Sequence, residues 1–72
     1  MDRDLYYATL KEVYEHLGGP VPVTAPLKEV AEYLGFDPRT LMATRSFPLR
    51  KNGNRYYVVK TALASWMSRE AV

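Results

Sequence analysis

No cysteine occurs among the 72 residues, so the chain has neither a disulfide framework nor a thiolate metal site. That fits a reducing compartment. A single histidine, His16, has no second ligand or nucleophile placed with it. Near the end of a helix it reads as a partner of the helix dipole rather than as a ligand or base. No apolar run approaches the ~18 residues that span a bilayer, and Met1-Asp2-Arg3-Asp4 lacks the pattern of a signal peptide. The expectation is a soluble cytoplasmic protein with no membrane partner. There is no Gly-rich phosphate loop, no HExxH and no Ser-His-Asp frame. Glu29 and Glu32 stand one helical turn apart, but on the outward side of a short helix, where a solvated face outweighs acid–base work. No enzyme, cofactor or metal is expected. Repeats and low-complexity tracts are also missing, and 72 residues make one domain.

One more absence points somewhere. Between Arg39 and Lys60 there is no acidic residue, while Arg39, Arg45, Arg50, Lys51, Arg55 and Lys60 are basic. Over residues 1–26, two basic residues face four acidic ones, a net charge of −2. Over residues 27–72, eight face four, a net of +4. Such asymmetry suits a polyanion on the C-terminal part.

What is present is periodic. Tyr6, Leu10, Val13 and Leu17 form one face of a helix over residues 4–17, with Asp4 as its cap and Gly18-Gly19-Pro20 as its stop. Val21-Pro22-Val23-Thr24-Ala25-Pro26 is an extended connector, with room for an edge strand at Val21–Val23. Thr24 is the available N-cap for the next helix, where Leu27, Val30, Ala31 and Leu34 face inward. Gly35 closes that helix, and Phe36 is expected to pack back into the core. Asp37-Pro38 opens a short helix running to Arg45, with Leu41 as its inward anchor. Helix, tight turn and second short helix over residues 27–45 is the helix-turn-helix pattern, which also occurs in helical domains that bind no DNA.

Phe47–Lys51 and Arg55–Val59 read as two strands joined by Asn52-Gly53-Asn54, with Asn-Gly suited to a type I′ turn. Tyr56 and Val58 share one face, and Arg55, Tyr57 and Val59 the other. Which of the two is buried stays open at this point. A final helix over residues 60–69 carries Leu63, Trp66 and Met67, with Ala62 at the border and Trp66 as the largest piece of core.

The chemistry these elements offer is nucleic-acid contact. Cations neutralise phosphates and release counterions. A helix presenting Arg39, Thr40, Ala43 and Arg45 can enter the major groove, where Arg reaches guanine and the Thr and Ala methyls touch thymine. A hairpin carrying Arg50, Lys51 and Arg55 can reach phosphates or the narrow minor groove. The plain alternative for Arg45 is a surface ion pair, and Asn52 and Asn54 read as turn formers.

Leu27-Lys28-Glu29-Val30-Ala31-Glu32-Tyr33-Leu34-Gly35 resembles the opening helix of excisionase-type and MerR-type winged-helix DNA-binding domains. Phe47-Pro48, the basic Asn-Gly hairpin, Arg55-Tyr56 and Ala62-Leu63-Ala64-Ser65-Trp66-Met67 continue the likeness over residues 25–68. The resemblance implies an α+β, mainly helical fold: a winged helix-turn-helix with a two-stranded hairpin wing over residues 47–59. Residues 4–17 add an extra N-terminal helix. It implies a factor that binds and bends double-stranded DNA, self-associates on it and assists an integrase or recombinase in excising a phage or mobile element. In a bacterial cell it would lie on the nucleoid. A transcriptional regulator of such an element is the alternative on the same fold, and a protein–protein adaptor without DNA binding is the alternative of another class. The recognition-helix role falls on Arg39, Thr40, Ala43 and Arg45, and the wing role on Arg50, Lys51 and Arg55. Two departures stand out. Pro26 replaces the usual Ser or Thr cap, and Met42-Ala43-Thr44 stands where the family often carries a Tyr-Arg-Trp-like run. Wing and backbone contacts are therefore expected to carry affinity, with Tyr7 and Tyr14 of the extra helix open to a partner.

Overall fold

The apolar stripe of the first helix reaches the core through its C-terminal half. The computed structural model describes residues 3–70, so Met1 and Asp2, part of the N-terminal reading, lie outside the described residues. Helix α1 spans Arg3–His16. Asp4 therefore lies within the first turn rather than flanking it, where a carboxylate still favours the positive end of the helix dipole. Val13 and Leu17 are buried, with Tyr6 and Leu10 half-buried against them. This face packs on the last helix.

The edge strand forms three residues later than expected. β1 is Thr24–Pro26, while Val21 and Val23 are exposed. Ala25 decides the position: it is buried and pairs with Val58, whose side chain is fully inside. Proline is tolerated at Pro26 because β1 lies at the sheet edge. Thr24 is thereby held in the strand opposite Val59 and caps nothing. Helix α2, Leu27–Leu34, starts directly from Pro26, whose extended backbone is the N-cap without a side-chain hydrogen bond. Leu27, Val30 and Ala31 are buried and Lys28, Glu29 and Glu32 exposed, as their spacing requires.

Gly35 ends α2 with φ 76°, a left-handed conformation that glycine adopts without steric cost. The N–H groups of Gly35 and Phe36 both donate to the Ala31 carbonyl. Phe36 does not return to the core: it is 49% exposed, and Leu41 and Phe47 are the buried side chains that follow. Helix α3 is Pro38–Ala43, begun by Asp37, whose Oδ1 accepts from the Arg39 N–H at 2.8 Å. It stops two residues short of Arg45. Thr44 turns extended, its N–H donating to Leu41 O at 3.1 Å and its hydroxyl to Thr40 O at 2.8 Å.

Strands β2, Leu49–Asn52, and β3, Arg55–Val59, form the hairpin. Phe47 is buried and precedes β2 rather than pairing in it. Asn52 pairs with Arg55, so the expected three-residue loop Asn52-Gly53-Asn54 shortens to Gly53-Asn54, and the central pair of the turn is Gly53-Asn54 rather than Asn52-Gly53. Gly53 has φ 64° and no described non-glycine residue has positive φ. Glycine alone at the first central position is the type II′ arrangement, not type I′.

The sheet has three antiparallel strands, not two, in the order β1-β3-β2. Leu49, Tyr56 and Val58 face the core, which leaves Arg50, Arg55, Tyr57 and Val59 on the outer side. Helix α4, Lys60–Glu70, follows β3 without a loop. Leu63 and Ala64 are its buried hydrophobic residues, and Lys60 and Ser68 are buried with them. Trp66 is half-buried: its ring meets Phe47 edge-on at 5.0 Å and its Nε1–H donates to Ser46 Oγ at 3.0 Å. The indole thus covers the core rather than forming its centre. The architecture is α+β, with four helices and one three-stranded sheet. No described helix is long and apolar enough to cross a membrane.

Candidate nucleic-acid interface

Seven residues carry the expected contacts, and each is exposed. Arg39, Thr40 and Ala43 project from α3, which the Asp37 cap starts and buried Leu41 anchors. Arg45 lies in the turn after α3, so it belongs to the loop leading to the hairpin and not to a helix. Arg50 and Arg55 stand on the outer face of the hairpin, opposite Tyr57 and Asn52 respectively. Lys51 points to the other face, its Nζ 5.5 Å from the centre of the Tyr56 ring, within cation–π range. Among the described residues none of these five cations is held in an ion pair, so their charge is available to an external anion.

Lys60 does not join them. It is 1% exposed and its Nζ donates to the Gly19 carbonyl at 2.8 Å. The sixth cation of the basic stretch is an internal strut between the α1–β1 loop and the start of α4.

The hairpin and the start of α3 meet across a groove of about 730 Å³. Its lining joins the sheet, at Thr24, Pro26, Asn52, Arg55 and Tyr57 of the outer face and at Tyr56, to the first residues of α2 and to Pro38. Lys28 and Arg55 contribute charge, and no acidic side chain lines it. Lys28, Pro26 and Tyr57 had no assigned role in the sequence. For Tyr57 the signal was its alternation with Arg55 on one strand face; nothing local marked the other two.

Asp37 stands at the start of α3 as its cap, and two other carboxylates gather elsewhere. Glu29 and Glu32 line a separate hollow with His16, Leu17 and Tyr33. The His16 ring stacks on Tyr33 at 4.8 Å, and its Nδ1 lies 2.8 Å from the Glu12 carbonyl oxygen. Burial, and secondarily the Glu12 carboxylate, push the Tyr33 phenol above its ordinary value. Tyr7 is exposed on α1 and Tyr14 half-buried.

No family model matches the chain, and neither a curated protein nor a solved structure matches it.

Proposed function

We propose that this chain is a winged helix-turn-helix protein that binds double-stranded DNA, with α2 and α3 as the helix pair and the β2–β3 hairpin as the wing. One observation carries this: five exposed cations, free of ion pairs among the described residues, sit on α3, on the loop after it and on a hairpin that shares a groove with the start of α3. Arg50, Lys51 and Arg55 supply most of the affinity by neutralising phosphates. Arg39, Thr40 and Ala43 set register in the major groove, and Arg45, off the helix, reaches the backbone. With Met42-Ala43-Thr44 in its middle, α3 offers few side chains for base edges, so affinity exceeds sequence discrimination. The excisionase-type role, an architectural factor assisting an integrase, rests on the resemblance of Leu27–Gly35, wing and final helix in that order.

A mobility-shift titration against salt tests the reading. The wild-type chain should bind duplex from its own locus with log K falling against log salt at a slope of about −4 to −5, roughly −0.9 for each of the five cations. Combined Arg50→Glu, Lys51→Glu and Arg55→Glu should abolish the shift. Unchanged binding by that variant, or no salt-dependent affinity in the wild type, would overturn the assignment.

A further inference from the structure

The groove between wing and helix starts is more than a track for phosphates. Its walls include Pro26 and Pro38, which offer apolar surface and no N–H donor to an anion. Tyr57 lies on the outer sheet face between Pro26 and Arg50 in register. It is half-buried, yet it belongs to neither the core nor the residues packed on it. Among the described residues its ring meets no other ring, and it lines the groove. The volume falls within the ~300–1,000 Å³ of small-molecule sites. The Asn52 amide adds a donor and an acceptor, and Lys28 and Arg55 add cations.

A flat aromatic group with a hydrogen-bonding edge, attached to an anionic chain, satisfies all of these features. We propose that the groove receives an unpaired nucleobase of DNA, stacked on Tyr57 with its edge toward Asn52, while Lys28 and Arg55 hold the flanking phosphates. It rests on the DNA-binding function above and deepens it: the preferred ligand is a duplex carrying an unpaired base. Charge complementarity argues for this occupant over an apolar peptide, because two cations and no acidic side chain line the groove. Base–aromatic stacking tolerates any sequence, in keeping with the plain face of α3.

The test compares a perfect duplex with the same duplex carrying a single unpaired 2-aminopurine bulge, by anisotropy at fixed salt. The bulged duplex should bind on the order of 10-fold more tightly, the lower end of what one stacked base contributes. The 2-aminopurine fluorescence should fall as the base stacks on the ring. Tyr57→Ala should bring the affinity ratio to about one, whereas Tyr57→Phe, which keeps the ring, should preserve it. Equal affinity for the two duplexes without quenching overturns the proposal and leaves duplex binding intact. So does a bulge preference that survives Tyr57→Ala, since a flexible duplex alone would then explain it. Should Tyr57→Ala fail to fold, wild-type quenching together with the retained ratio in Tyr57→Phe supports the stack, and their absence refutes it. Binding of neither duplex overturns this proposal and the DNA-binding function together.

Discussion

Lys60 shows how far one side chain can depart from its local context. It stands between Val59 and Thr61 at a strand–helix junction, in a stretch whose other cations are exposed. Its stem fills core volume beside buried Leu63 and Ala64, and its ammonium spends one hydrogen bond on Gly19 O. Burying an ammonium costs several kcal/mol in lost hydration, on the order of what its partners return. The stem and the charge therefore contribute with opposite signs. Lys60→Ala should destabilise the fold by about 3 kcal/mol, as truncation of a long buried side chain does. Lys60→Met keeps the stem and removes the charge, and the half-exposed Gly19 can turn to water, so its cost should stay below about 1.5 kcal/mol. Urea unfolding midpoints measure both. If Met costs as much as Ala, the ammonium–carbonyl bond and not the stem governs the site. On the proposed function, neither change should alter the salt slope of binding to duplex DNA, because Lys60 faces away from solvent.

At the scale of elements, α3 is the weakest and the one most exposed to test. Six residues cannot sustain a helix alone, so it depends on Leu41 and on the Asp37 cap. Asp37→Ala should lower stability by about 1 kcal/mol relative to Asp37→Asn, which loses the charge but keeps an acceptor for the Arg39 N–H. Thermal unfolding of the two variants separates cap from charge; equal stabilities would mean that Leu41 alone holds α3. The start of α3 was legible because Asp-Pro chemistry is local. Its end was not, because Thr44 closes on Leu41 and Thr40 while the chain turns to bury Phe47, a demand set by the core. The same distinction explains β1: strand propensity favours Val21 and Val23, but contact with Val58 selects Ala25. It also explains the turn, where pairing of Asn52 with Arg55 shortens the loop to Gly53-Asn54. In the candidate interface all seven expected residues are exposed, but charge and polarity, Ala43 apart, marked them rather than periodicity: the alternation left open which hairpin face is buried, and Arg45 falls in the loop and not on the helix. The groove was not legible, because Pro26, Lys28, Pro38 and Tyr57 come from separate segments that only the tertiary fold joins.

For the molecule as a whole, the question is whether α1 is an addition or a foundation. The resemblance spans residues 25–68 and leaves residues 4–17 as an extra helix. In the structure, Val13 is fully buried, Leu17 lies in the same core cluster, and α1 packs along α4. A chain of 72 residues buries only roughly 60% of the surface its unfolded form exposes, so little stability is in reserve. Removing α1 would uncover the α4 face that carries Leu63 and Ala64 and break the Lys60–Gly19 link as well. A chain beginning at Pro20 should therefore show no cooperative thermal transition. The milder Val13→Ala, which deletes two buried methyl groups and leaves a cavity, should cost about 2 kcal/mol while the fold persists. Circular dichroism melts of the two, beside the full chain, decide the matter. A cooperative transition in the shortened chain would make residues 20–72 the folding unit and α1 a surface for some other partner, with Tyr7 already exposed on it. Its loss makes α1 the element on which α4, and through α4 the hairpin strand β3, is seated.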